Sequence, residues 1–224
     1  MLAMRKKMIL LSDFDGTIAN IDTAAFALRK FSTGDWEILE KQFESDEITF
    51  EECLRKQFAM LNAPKNKILE AVDEVALLRP HFVQLLSYCE AHGIRFIVVS
   101  GGLDFCIRHL LNKNRIAVEV ISPRSKPAPE GIGLQFPTLY DISSFSFKDD
   151  LVKHYRRLGL TVVFVGDGYV DYYALKEADV RFAVKDSLSA RLCHSNKIAC
   201  EEISDFEPVI NLLIEDDDAS SQRL

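Results

Sequence analysis

Two carboxylates stand two residues apart directly after an apolar run near the start of the chain. The run is Met8–Leu11, and Asp13 and Asp15 follow it, with Gly16 and Thr17 next. Such a run predicts a buried strand of a parallel sheet, and ligands of open α/β sheets bind beyond the carboxyl ends of strands. An aspartate beside a bound cation can attack phosphorus there, while its neighbour gives a proton to the leaving oxygen. An acidic turn without chemistry is the alternative for this stretch alone.

Ser100 and Gly101 follow a second apolar run, Phe96–Val99. A hydroxyl and main-chain N–H groups at the end of a strand can hold a phosphate at the N-terminus of the next helix. We predict this role for Ser100 and Gly101, and Thr17 offers a further hydroxyl for the phosphate. A plain turn from strand to helix is the alternative.

Lys148 opens a helical pattern and precedes Asp149 and Asp150. A positive charge at the start of a helix opposes the helix dipole, so its presence calls for another reason. Neutralisation of a phosphorylated Asp13 is one such reason. An ordinary surface lysine is the alternative.

Asp167 follows a third apolar run, Val162–Val165, and Asp171 comes four residues later. Because Asp167 ends a strand as Asp13 does, the two carboxylates and water can build the all-oxygen, octahedral site that Mg²⁺ prefers. Asp171 is better placed to orient Lys148 or a metal-bound water than to bind the metal. It can equally cap the following helix, and the two roles are compatible.

The elements that position these residues alternate between strand and helix. Strands are predicted at Met8–Leu11, Arg95–Val99, Val118–Ile121, Val162–Val165, Val180–Ala183 and Ile198–Cys200. Helical patterns lie at His81–His92, Leu103–Leu111, Lys148–Leu158 and Tyr172–Ala178. This alternation predicts an α/β fold with a parallel sheet, in which all carboxyl ends of the strands share one edge.

One segment interrupts the alternation with helical periodicity alone. Its helices are predicted at Ile21–Phe31, Trp36–Gln42, Thr49–Leu61 and Lys65–Val75, and Thr49 with Glu52 predicts a capping box. We therefore predict a four-helix cap at 21–79, a core domain at 1–20 and 80–214, and a disordered acidic tail at 215–224. The stretch 122–146 is expected to be a loop with a short hairpin at most. A cap over the strand edge can exclude water and select the substrate.

Composition narrows the possible partners. The 224 residues carry a formal net charge of −7, which disfavours a nucleic-acid partner. No apolar stretch approaches the roughly 20 residues that span a bilayer, and the first apolar run is too short for a signal peptide. We expect a cytoplasmic protein with no membrane partner.

The four polar blocks together resemble the haloacid-dehalogenase superfamily of phosphatases. The matching blocks are Asp13-Phe14-Asp15-Gly16-Thr17, Ser100-Gly101-Gly102, Lys148 and Gly166-Asp167-Gly168-Tyr169-Val170-Asp171. The resemblance covers nearly the whole chain and implies a Rossmann-like core with an inserted cap. It implies that Asp13 is the nucleophile and Asp15 the general acid and base. It also implies Mg²⁺ on the side chains of Asp13 and Asp167 and on the main-chain carbonyl of Asp15.

Within that superfamily the cap resembles the phosphoserine-phosphatase branch, but two substrate-binding positions differ. Where that branch carries an arginine for the substrate carboxylate this chain has Gln57, and where it carries a glutamate for the amino group this chain has Asp22. A neutral amide loses most of the charge-assisted bond to a carboxylate. Arg55 replaces that arginine only if the register of the helix shifts.

A second branch is more similar to this chain. These methionine-salvage phosphatases act on 2-hydroxy-3-keto-5-methylthiopentenyl-1-phosphate, and the resemblance lies in Asp13–Ile18, Lys30–Phe31 with Trp36, and Val99–Phe105. The chain departs from them at 122–147, where they carry a cysteine-rich stretch.

We therefore predict a magnesium-dependent phosphomonoesterase for a small phosphorylated metabolite. A phosphoserine phosphatase proper, a phosphotransferase or phosphomutase, and a non-catalytic binding protein with the same fold are the alternatives. The sequence leaves monomer and homodimer open.

Overall fold

A parallel sheet forms the centre of the molecule in the computed structural model, which describes residues 7–221. The strands are β1 (Met8–Ser12), β2 (Arg95–Val99), β3 (Glu119–Ile121), β4 (Arg124–Pro127), β5 (Ile132–Gln135), β6 (Thr161–Gly166), β7 (Val180–Val184) and β8 (Glu201–Ile203). Six of them form one sheet in the order β3-β2-β1-β6-β7-β8, and every neighbouring pair is parallel. The predicted α/β fold with a parallel sheet is confirmed.

Ten helices surround this sheet in the described part of the chain. They are α1 (Thr23–Phe31), α2 (Glu37–Glu44), α3 (Phe50–Ala59), α4 (Lys65–Asp73), α5 (Phe82–Ala91), α6 (Asp104–Lys113), α7 (Phe147–Arg157), α8 (Tyr169–Glu177), α9 (Leu188–Ser195) and α10 (Glu207–Ser221). None of these helices, within the described residues, combines the length and the apolar character that a membrane span needs.

Strand β1 is apolar on both sides because helices cover both faces of the sheet. Leu10 joins one buried cluster with Phe82, whereas Ile9 and Leu11 join the opposite cluster with Phe164. Successive side chains of a strand point to opposite faces, so an uninterrupted apolar run is what a doubly covered strand requires.

Helices α1 to α4 lie between β1 and β2, as the periodicity predicts. The apolar faces of α1, α3 and α4 join the larger core cluster through residues such as Leu28, Phe58 and Ile68, whereas the buried residues of α2, Leu39 and Phe43, belong to a separate small cluster. The predicted capping box at the start of α3 is confirmed: the Thr49 side chain accepts from the Glu52 N–H, and the Glu52 carboxylate accepts from the Thr49 N–H. The division into a core and a cap domain at the stated boundaries stays a prediction.

Three predictions for the second half of the chain need correction or refinement. The last strand was expected at Ile198–Cys200 but is β8, three residues later. The tail from residue 215 was expected to be disordered, but α10 continues to Ser221, and residues 222–224 lie outside the described part. The expected short hairpin is present as the antiparallel pair of β4 and β5.

The order of the strands reverses beside β1. The chain continues from β1 to β2 on one side, whereas β6, which comes much later, pairs with β1 on the other. The loops after β1 and β6 therefore diverge and leave a crevice at the carboxyl edge, where ligands of such sheets bind. The Asp13 N–H donates to the Val165 carbonyl at 2.9 Å across this junction.

Candidate active site

A lysine and two aspartates form a buried charged chain beyond β1 and β6. The Lys148 Nζ donates to Asp13 Oδ1 at 2.6 Å and to Asp171 Oδ1 at 2.7 Å. All three side chains are at most 6% exposed. Ser146 caps α7 with its side chain and Asp149 completes a capping box, so the helix start tolerates the lysine. The buried ion pairs explain the cation at this position.

Asp171 serves two purposes, as the sequence allows. Its Oδ1 pairs with Lys148, while its Oδ2 accepts from the main-chain N–H groups of Asp167 (3.1 Å) and Gly168 (2.9 Å) at the start of α8. Both oxygens are thus engaged by protein donors. The Asp171 side chain is suited to orienting Lys148 and the Asp167 loop.

Thr17 contacts a carboxylate in the structure, whereas we predicted a phosphate contact. Its Oγ1 donates to Asp167 Oδ1 at 2.9 Å, and its side chain is fully buried outside the cavity lining. This arrangement fixes the orientation of Asp167. The same carboxylate lies close to the backbone of Gly16. A Cβ on Gly16 would lie 2.2 Å from Asp167 Oδ2, and the φ of +74° at this position also favours glycine.

The Asp15 carboxylate is held by two hydroxyls and one main-chain donor. Asp15 Oδ1 accepts from the Thr23 N–H at 2.9 Å and from the Thr23 hydroxyl, and Oδ2 accepts from the Ser100 hydroxyl at 3.3 Å. The Ser100 hydroxyl also accepts from the Gly102 N–H at 3.0 Å. A Cβ on Gly102 would lie 1.9 Å from Asp15 Oδ2, so only glycine leaves room for this carboxylate.

Burial sets the electrostatics of the carboxylates. It raises the pKa of Asp13 well above its ordinary value, against the opposing charge of Lys148. Burial and the charge of Asp22 raise the pKa of Asp15 to about 6, and burial and the charge of Asp171 raise that of Asp167 to about 7. Burial alone would lower the pKa of Lys148, but the two aspartates outweigh it and keep the ammonium protonated.

The negative charge of this cluster exceeds what Lys148 can neutralise. Carboxylate oxygens of Asp13, Asp167 and Asp171 lie within 4.8 Å of one another, which is close enough to share one metal ion. Oxygen donors suit a hard divalent cation such as Mg²⁺. Both Asp171 oxygens already accept hydrogen bonds, whereas among the described residues Asp13 and Asp167 each accept with Oδ1 only. Asp13 and Asp167 are therefore better suited to bind a metal ion.

The predicted site residues surround one cavity of about 330 Å³, apart from Thr17. Asp22 and Gln57 line it on the side of the inserted helices, and Asp22 also caps α1 by accepting from the Ala25 N–H at 2.7 Å. Arg55 does not line the cavity. Its Nη1 donates to the Leu134 carbonyl on β5 instead, so the helix register leaves Gln57 at the cavity.

Sequence reasoning missed three contributors to the site. Thr23 holds Asp15, and Glu40 lines the cavity on α2. The guanidinium of Arg79 donates to the carbonyls of Gly16 (2.6 Å), Thr17 (2.6 Å) and Ser204 (2.9 Å), which fixes the loop after Asp15. These three residues lie in or after the inserted helices, and their sequence neighbourhoods carry no signal that links them to Asp15 or to its loop.

The fold and this buried cluster define a class of hydrolase. The profile of the haloacid dehalogenase-like hydrolase family matches residues 10–176, and the chain belongs to that family. A 2-hydroxy-3-keto-5-methylthiopentenyl-1-phosphate phosphatase from Brevibacillus brevis is 28% identical over 216 residues, which cover 94% of this chain and 96% of that protein. Pdp3-interacting factor 1 from Schizosaccharomyces pombe is 26% identical over 93% of this chain and 95% of its own length. The chain is a hydrolase of this family.

Solved structures agree with the fold. A HAD-family hydrolase, t0658 from Salmonella enterica, superimposes with a TM-score of 0.69 at 22% identity, over 92% of this chain and 71% of that one. A phosphoserine phosphatase solved as a phospho-aspartyl intermediate analogue gives a TM-score of 0.67 at 19% identity, over 93% of this chain and 99% of that one.

Proposed function

We propose that the protein is a magnesium-dependent phosphomonoesterase that hydrolyses a small phosphorylated metabolite through an aspartyl-phosphate on Asp13. The observation that carries this proposal is the buried contact between Lys148 and Asp13 in the cavity that Asp15 also lines. A binding protein needs neither a nucleophile nor a second carboxyl group beside it. The 28% identical relative is itself named as a phosphatase of a phosphorylated metabolite.

Asp13 and Asp15 divide the reaction between them. An Asp13 oxygen attacks phosphorus, the bond from phosphorus to the ester oxygen breaks, and Asp15 gives its proton to the departing alcohol. Asp15 then takes a proton from the water that attacks the aspartyl-phosphate, which releases inorganic phosphate and restores Asp13. The pKa of about 6 lets Asp15 hold and release a proton near neutrality.

Lys148, Ser100 and Gly101 are proposed to hold the phosphoryl group. Lys148 lies against Asp13, where the negative charge of the phosphoryl oxygens gathers. Ser100 and Gly101 line the same cavity, and the Ser100 hydroxyl and the Gly101 N–H are the donors proposed for the phosphate. A Cβ on Gly101 would lie 2.8 Å from the ring of Phe50, so a larger residue would push the wall of the cavity outward.

The residues present fit Mg²⁺. The side chains of Asp13 and Asp167 and the main-chain carbonyl of Asp15 are proposed to hold it, with Thr17 and Asp171 fixing Asp167. The ion, when bound, neutralises charge on the nucleophile and on the phosphoryl oxygens.

Phosphate release from a panel of phosphorylated metabolites, with and without Mg²⁺, tests the proposal. The panel includes phosphoserine and the methylthiopentenyl substrate of the bacterial relatives. We expect Mg²⁺-dependent turnover of at least one small phosphomonoester and none by Asp13→Asn. Turnover by Asp13→Asn equal to that of the wild type would refute the mechanism, and release only when an acceptor alcohol is added would indicate a phosphotransferase.

A further inference from the structure

The wall of the cavity that the inserted helices supply is acidic. Asp22 precedes α1, and Glu40 and Glu44 stand one turn apart on α2; all three line the cavity, and we call them the acidic wall. Glu40 and Glu44 have no role in the proposed chemistry, and Asp22 enters it only through its charge, which raises the pKa of Asp15. Because the acidic wall belongs to the inserted helices, we expect it to face the part of the substrate that extends away from the phosphate.

No cation among the described residues balances the acidic wall from within the cavity. Lys148 is the one lysine or arginine of the lining, and Asp13 and Asp171 already engage it. Arg29 acts on Asp22 from α1 but does not line the cavity. A substrate carboxylate would meet three carboxylates here and no free positive charge.

Aromatic rings complete this side of the cavity. Phe43 lies on α2 between the two glutamates, and its ring packs against Phe50 at 5.6 Å and edge-on against Tyr169 at 5.5 Å. Aromatic faces attract ammonium groups, and more strongly so where water is scarce. The same rings would also accommodate a neutral alkyl chain. The nearby carboxylates of the acidic wall favour the ammonium group over the alkyl chain.

The charges of Arg29 and Lys148 lower the pKa of Asp22, whereas every charge among the described residues that acts on Glu40 is negative. Burial and then the charges of Asp22, Glu44 and Glu37 raise the pKa of Glu40 to about 7, against a hydrogen bond from Gln57. Desolvation also raises the pKa of Asp22, although the residue as a whole is exposed. A bound cation would relieve this mutual repulsion.

We infer that the acidic wall selects phosphomonoesters whose far end carries an ammonium group, and that Glu40 is a specificity-determining residue for it. The inference rests on the proposed function. The expected substrates are phosphate esters of amino alcohols without a carboxylate. Phosphoserine, which carries both charges, is expected to be a poorer substrate than its decarboxylated counterpart, ethanolamine phosphate.

Two nearly isosteric esters test the inference with the full chain and Mg²⁺. 3-Aminopropyl phosphate and butyl phosphate differ only by an ammonium in place of a methyl group. We expect the wild type to favour the amine in kcat/KM by about tenfold, since a charge-assisted contact is worth that much. Glu40→Gln should reduce the preference about three- to fivefold, mainly through KM, because Glu40 remains partly exposed to solvent.

Glu51→Gln is the matched control, because Glu51 lies on the inserted helix α3, outside the cavity lining, and is not among the charges that act on Glu40. It should keep the preference of the wild type. Equal turnover of the two esters, or a preference that Glu40→Gln leaves unchanged, would overturn the inference while the phosphatase activity stands. Failure to hydrolyse either ester or p-nitrophenyl phosphate with Mg²⁺ would overturn the proposed function and this inference with it.

Discussion

The ammonium of Lys148 lies 2.6 Å from the Asp13 carboxylate, although 135 residues separate them in the chain. Both side chains are almost completely buried. Loss of one partner from a buried pair leaves an uncompensated charge, which is typically more costly than the pair is stabilising. Lys148 is therefore expected to matter for both stability and catalysis.

Lys148→Met should lower the free energy of unfolding by about 3 kcal/mol and reduce kcat at least 100-fold. Denaturant unfolding and phosphate release measure the two effects. Lys153→Met is the control, because Lys153 pairs with Asp149 on the same helix but is 28% exposed. Its expected cost is about 1 kcal/mol or less. Equal losses of unfolding free energy and of kcat in the two variants would show that the buried Lys148 pair contributes no more than the partly exposed Lys153 pair.

The strand-end carboxylates could be predicted because their positions follow from local patterns. An apolar run predicts a covered strand, and parallel strands bring Asp13 and Asp167 to one edge. The contacts of Thr23, Glu40 and Arg79 could not be predicted in this way. They depend on how the inserted helices fold back over the edge, which hydrophobic periodicity does not encode.

The errors near the C-terminus have a packing cause. Acidic residues after 215 suggested disorder, but Val209 and Leu213, four residues apart, are buried against the core and begin a helix that continues into the acidic stretch. The last strand was misplaced because Ile198–Cys200 is as apolar as a strand, whereas the pairing with β7 begins at Glu201. Tertiary contacts decided both cases.

Thr17→Val should weaken the binding of Mg²⁺ without unfolding the protein. The Thr17 hydroxyl is the side-chain donor that orients Asp167, and loss of such a contact typically costs 10- to 100-fold in metal affinity. The concentration of Mg²⁺ that gives half-maximal activity should therefore rise at least tenfold, while kcat at saturating Mg²⁺ falls less. Thr33→Val, at an exposed hydroxyl in the connection between α1 and α2, is the control. An unchanged Mg²⁺ requirement would exclude this role for Thr17.

Mg²⁺ should stabilise the protein more at pH 7.5 than at pH 5. In the metal-free protein the pKa of Asp167 is about 7 and that of Asp15 about 6, both raised by burial above the ordinary value of 3.8. The folded state thus binds more protons than the unfolded state between pH 3.8 and about 7. The stability that these two carboxyl groups contribute below pH 3.8 is therefore lost as the pH rises towards 7. A cation offsets the charge that then appears. Thermal unfolding at both pH values, with and without Mg²⁺, measures this, and an equal gain at both would contradict it.

Arg79→Gln should reduce kcat about tenfold with little change in KM. The Arg79 guanidinium donates to the carbonyls of Gly16 and Thr17, so its loss frees the loop that carries Asp15 while leaving the lining of the cavity intact. The free energy of unfolding should fall by about 2–3 kcal/mol, since the three hydrogen bonds that the half-buried guanidinium donates are lost. Arg95→Gln, which removes an exposed pair with Glu119, should leave kcat unchanged. A rise in KM at constant kcat would instead assign Arg79 to substrate binding and refute its role in positioning the loop.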